Sequence, residues 1–108
     1  METTLAMTPV TPAATTPVDM DDALMTLGAV LHTRLSAAGL QIAHVKLFLR
    51  AGKRVCALSI PSDDAPSDLS RRSEGKASIL DLTVNARVAA VPDVLRDIVE
   101  GCLRAWTD

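Results

Sequence analysis

The sequence predicts an α+β domain. It should be a two-layer sandwich in helix–strand–strand–strand–helix order, with an antiparallel three-stranded sheet and both helices on one face. Three observations carry this expectation. Leu24, Leu27, Leu31 and Leu35 recur at helical spacing ahead of Gly39. Residues 41–60 alternate between apolar and polar on either side of a short glycine-containing turn, and residues 78–90 alternate again before a proline-led amphipathic stretch.

Residues 1–18 come first and read as a disordered arm. They are rich in Thr, Pro and Ala, with prolines at Pro9, Pro12 and Pro17 and no periodic apolar pattern. Such a segment buries too little surface to offset its ordering entropy. The functional alternative is a docking peptide, with Leu5, Met7 and Val10 as short anchors. The folded domain is expected over residues 19–108.

The first helix should start near Asp19 to Asp22, where carboxylates suit the amide-rich end of the helix dipole. It should end at Ala38, because Gly39 can adopt the left-handed cap and Leu40 can fold back on the last turn. Gln41 to Arg50 then alternates. Ala43, Val45, Leu47 and Leu49 share one face, with Ile42, His44, Lys46, Phe48 and Arg50 on the other. Ala51-Gly52-Lys53 turns the chain, Arg54 to Ile60 returns, and Pro61 stops the strand.

Residues 62–76 read as a long flexible loop dominated by Ser, Asp, Pro, Arg and Gly. Within it, Ser70-Arg71-Arg72-Ser73 places basic residues before a serine, as some kinase sites do, although a solvated loop shows such runs by chance. Ser78 to Ala90 is the longest strand. Leu80, Leu82, Val84, Ala86 and Val88 form its apolar face, and Asp81, Thr83, Asn85 and Arg87 lie opposite. Val91-Pro92-Asp93 opens the last helix, whose stripe is Leu95, Ile98, Cys102 and Trp106.

Composition narrows the function classes. Phe48 and Trp106 are the only aromatic residues, so the core must be aliphatic. The formal net charge of -2 argues against a nucleic-acid or membrane-surface protein. No apolar run approaches the ~20 residues that span a bilayer, and residues 1–20 lack the features of a signal or transit peptide. Cys56 and Cys102 are too far apart in sequence for a metal-site pattern or a disulfide framework. A reducing, cytoplasmic setting is the simplest.

The chemistry-bearing candidates lie on the open sheet face: His44, Lys46, Asp81, Asn85 and Arg87. A histidine and a carboxylate within hydrogen-bonding distance make a general acid–base pair, and Lys46 with Arg87 can hold an anion. Alternating polar residues are equally what any solvated sheet face displays. His32 falls on a helix flank, and the two histidines have no partner at ligand spacing, so neither a metal nor another cofactor is expected. The scattered glycines form no phosphate loop, and no serine sits in a nucleophile elbow. Nucleic acid is opposed by the acidic balance and by the single stacking residue Phe48.

Ile42, Phe48, Val55 and Ile79 would leave an apolar patch among those charges, and such patches mark contact sites. Three strands are few, and a long third strand leaves an unpaired edge. The expectation is therefore a non-enzymatic interaction or assembly module that pairs with a second copy through its open sheet face and can offer a further protein partner its arm or loop. The alternative is a small enzyme or anionic-ligand-binding protein using the polar residues of that face.

Overall fold

A computed structural model describes residues 3–10, 18–62, 64–73, 75–77 and 80–107, with the side chains of 3–10 and 105–107 outside the description. In chain order the elements are β1 (Thr3–Val10), β2 (Val18–Asp19), α1 (Met20–Ala37), β3 (Gln41–Ala51), β4 (Arg54–Ile60), β5 (Asp68–Arg71), β6 (Lys76–Ala77), β7 (Asp81–Ala89) and α2 (Pro92–Thr107). The fold is α+β, with two helices and antiparallel sheets. The main sheet has the order β1-β7-β3-β4-β5, and β2 pairs with β6 in a small second sheet.

The helix α1 forms where its sequence supplies both ends. The Asp19 carboxylate accepts a hydrogen bond from the Asp22 backbone N–H at 3.0 Å, capping the first turn. At the other end Gly39 takes φ 73°, the Leu40 N–H donates to the Leu35 carbonyl and the Gly39 N–H donates to the Ser36 carbonyl. This pair of bonds is a Schellman motif, closed by the half-buried Leu40 against the core. Pro92 occupies the first position of α2, where its missing N–H costs nothing.

The hairpin also follows from its turn. Ala51 and Arg54 are paired, so Gly52 and Lys53 form a two-residue loop, with positive φ confined to Gly52. A glycine at the first central position is the signature of the II′ turn, whose twist matches that of the strands it joins. The third long strand, β7, pairs with β3, so the first strand of the hairpin is central and not β4.

One core serves the described residues. Leu24, Leu27, Leu31 and Leu35 of α1 join Leu95, Val99, Cys102 and Leu103 of α2, together with the inward residues of β3, β4 and β7. The two helices pack against each other, α1 lying over β3 and β4 and α2 reaching β1. Ile98 is only half-buried, and the α2 stripe runs through Val99 and Leu103; the predicted Trp106 lies outside the described side chains.

Three sequence expectations are altered. The sheet has five strands and not three, because both flanks of the predicted trio carry short or irregular edge strands. Residues 3–10, predicted within a disordered arm, pair antiparallel with β7; residues 11–17 lie outside the described residues. Pro9 falls in the register irregularity between Met7 and Val10, where no ladder hydrogen bond is required of it. Residues 62–76, predicted as a flexible loop, contain β5 on the edge of β4 and β6 against β2. An edge strand needs only one bonded side and little burial, and here Leu69 of β5 and Ala77 of β6 are the partly buried residues that pack on the core.

The remaining correction concerns Ile42. A bulge between Ile42 and His44 makes Ala43 an extra residue, so Ile42 returns to the core face at 3% exposure while Ala43 is exposed. Simple alternation had placed the two the other way round.

Candidate functional site

The open face of the sheet is built from alternate residues of four strands. In the register of β3 and β7, His44 stands opposite Arg87, Lys46 opposite Asn85, Phe48 opposite Thr83 and Arg50 opposite Asp81. On the other side of β3, Lys46 faces Ser59, Phe48 faces Ala57 and Arg50 faces Val55. The edge strand β5 adds Asp68 beside Ser59 and Arg71 beside Ala57. Cys56, Leu58 and Ile60 of β4 point into the core, which puts Val55, Ala57 and Ser59 on the open face.

The predicted ligand-binding residues therefore share one face but do not converge. His44, Lys46, Asn85 and Arg87 cluster at one end. Asp81 lies six residues along β7 from Arg87, which is about 20 Å at the rise of an extended strand. His44 and Asp81 are thus too far apart to act as a general acid–base pair, which needs hydrogen-bond reach.

The predicted interface residues are similarly divided. Phe48 and Val55 are on the open face and half-buried, Ile42 is in the core, and Ile79 lies outside the described residues. Phe48, Arg50, Val55, Asp81, Thr83 and Asn85 line a shallow depression of about 280 Å³. Arg50 and Thr83 were visible as members of the polar face, but nothing in the sequence singled them out. Their place beside the depression follows only from the β3–β7 register.

The face carries an electrostatic contrast with the rest of the chain. Lys46, Arg50, Arg71 and Arg87 set four basic groups against the carboxylates Asp68 and Asp81, a difference of two positive charges, while the whole chain stands at -2. Lys46, Arg50, Arg71 and Arg87 are all exposed. Protein-family models, curated proteins and solved structures give no significant match to this chain.

Elsewhere, chemistry-bearing groups are placed structurally. Among the described residues no group of three or more His, Cys, Asp or Glu side chains comes together. Cys56 and Cys102 are free, buried thiols within the core cluster. Burial pushes the Cys56 thiol up to about 11, and the carboxylates of Asp21 and Asp19 add to the rise. Its Sγ lies 3.8 Å from the Met20 carbonyl, as a weak donor. A thiol held protonated in this way is a poor nucleophile. No helix among the described residues is long and apolar enough to cross a membrane.

The Ser70–Ser73 motif is tied down at both serines. Ser70 Oγ donates to the Ala57 carbonyl at 3.3 Å, and the Ser73 backbone N–H donates to the Asp21 carboxylate at 2.9 Å. Arg54 also donates to the Lys76 carbonyl, and the Met20 N–H to the Gly75 carbonyl. The Ser73 and Gly75 bonds tie this segment to the first turn of α1, and the Ser70 and Lys76 bonds tie it to β4.

Proposed function

We propose that the chain is a small non-enzymatic interaction module whose open sheet face receives an acidic segment of a partner protein. The observation that carries this reading is the excess of Lys46, Arg50, Arg71 and Arg87 over Asp68 and Asp81 on the face that holds the half-buried Phe48, on a chain that is acidic as a whole. Complementary charge steers encounter, and the depression beside Phe48 offers room for one apolar side chain of the partner. The separation of His44 from Asp81 supports binding over catalysis. The buried free thiols suit a reducing compartment such as the cytoplasm.

Self-association through this same face is less favoured. Lys46 and Arg50 flank Phe48 on one strand, so two copies meeting at Phe48 would bring like charges together. The edge that suggested strand pairing between copies is also filled, since β7 lies between β1 and β3.

The test is fluorescence anisotropy with a short labelled peptide alternating Asp and Leu, its Lys-for-Asp counterpart, and a single-stranded oligonucleotide. The acidic peptide should bind, more weakly as salt rises. Lys46→Glu and Arg50→Glu should each weaken it by about tenfold, a loss of ~1.4 kcal/mol. Absence of binding, indifference to both reversals, or preference for the oligonucleotide would overturn the reading.

A further inference from the structure

The outer face of helix α1 is uncharged over its middle turns, where Thr26 and Thr33 are the exposed polar residues. From Ala23 to Thr33 it carries no Asp, Glu, Lys or Arg for eleven residues, three full turns. A surface helix ordinarily keeps charged or polar residues along its outer face, whereas these middle turns also expose large apolar side chains. Here the inner face is covered by the sheet and α2, but Met25 remains 48% exposed and Val30 36% exposed. Ala29 and Thr33 are exposed between them. The large apolar side chains that stand in solvent among the described residues are Val18, Met25, Val30, Val91 and Val94, none of them on the open sheet face.

The outer surface of the helical layer is also hollowed. Ala37, Ala38, Ile98 and Gly101 lie between the helices in a groove of about 490 Å³ rimmed by Arg34, Asp97 and Arg104. A second hollow of about 250 Å³, lined by Ala29, Val30, Thr33 and Arg34, shares Arg34 with the first. A shape of this kind fits a helix laid along α1.

We infer that the occupant is a second copy of this chain, docked α1 against α1 in antiparallel orientation. The charges on α1 select that partner and that direction. Its uncharged stretch is bracketed by Asp22 near the amino end and Arg34 near the carboxyl end, both exposed. Their midpoint falls at residue 28, beside Ala29 on the outer face. A two-fold axis there brings the Asp22 of each copy towards the Arg34 of the other and sets the two helix dipoles antiparallel. A parallel arrangement would oppose Asp22 to Asp22 and Arg34 to Arg34. The contact leaves both sheet faces pointing outward, so it stands independently of what those faces bind.

The test is solution mass by light scattering across a concentration series. The chain should be dimeric, and Met25→Asp with Val30→Asp should make it monomeric with an unchanged circular-dichroism spectrum. Asp22→Arg and Arg34→Asp should each raise the dissociation constant by about tenfold or more, and the doubly reversed chain should recover most of that loss. Ala29→Cys should give a dimer covalently linked through that cysteine on mild oxidation, because the axis passes beside it. A monomer at every concentration, a dimer indifferent to Met25 and Val30, or charge reversals that fail to rescue one another would overturn the inference.

Discussion

The backbone N–H of Ser73 donates to the carboxylate of Asp21 at 2.9 Å, joining residues 52 positions apart in the chain. This bond anchors the segment after β5 to the first turn of α1, next to the two-residue pairing of β2 with β6. A hydrogen bond to an ionised acceptor is worth ~1.5–3 kcal/mol when buried, and less at this half-buried position. Asp21→Ala should lower the unfolding free energy by ~1 kcal/mol, and Asp21→Asn, which keeps an acceptor, by less. Amide exchange should locate the loss: the Ser73 amide should exchange faster in Asp21→Ala while those of β3 and β7 stay protected. Uniform loss of protection would show that the bond does not act as a local strap.

A second expectation separates the core from the open face. Ile42 is 3% exposed and surrounded by core residues, whereas Phe48 is half-buried on the face away from the helices. Ile42→Ala should cost ~2–4 kcal/mol, as buried aliphatic truncations do. Phe48→Ala should cost about half as much or less, despite deleting more atoms. Urea denaturation of the two variants measures both. A larger cost at Phe48 would return Ile42 to the surface and place a buried layer over the sheet.

The Ile42 case shows where the sequence stops being informative. Asp19, Gly39, Gly52 and Pro92 announce their turns and caps through local chemistry, so α1, the hairpin and α2 were legible. The alternation in β7 was legible because one face is buried and the other wet. The bulge at Ala43 is not encoded by either residue beside it, and it exchanges the faces of Ile42 and Ala43. β1 and β5 are edge strands, stabilised by backbone pairing that leaves little apolar pattern. The candidate site was legible as a set of residues on one face, but not as a geometry. That His44 meets Arg87 while Asp81 meets Arg50 depends on which strand β7 chooses and in what register.

Close packing between α1 and β4 gives a third prediction. A Cβ built at Gly28 would lie 2.8 Å from Leu58 Cδ2 and 3.1 Å from Cδ1, and Leu58 is 1% exposed. Replacing glycine with alanine in a helix gains about 1 kcal/mol in propensity, but overpacking a core costs ~1–3 kcal/mol. Gly28→Ala alone should therefore be neutral to destabilising by ~2 kcal/mol. In a Leu58→Ala background, where the obstruction is gone, the same change should stabilise. Thermal unfolding of the four chains gives the coupling directly, and simple additivity would mean that Leu58 already has room to move.

The buried thiols supply a pH dependence whose sign is fixed by the direction of the shift. Burial, reinforced by Asp21 and Asp19, raises the Cys56 thiol from 9.0 to about 11. The folded chain therefore holds this proton more tightly than the unfolded chain does. The associated stability is complete below pH 9 and is lost as pH rises from about 9 towards 11. Cys102 is also raised by burial, although Arg34 draws it the other way, so it should add to the same decline. Stability measured by denaturant titration should fall across this window, and Cys56→Ala should fall less steeply whatever its starting stability. Thiol reagents at neutral pH should modify Cys56 only as fast as the chain opens. Equal slopes for the two chains, or rapid modification of the folded protein, would mean that Cys56 is not enclosed between the first turn of α1 and the sheet.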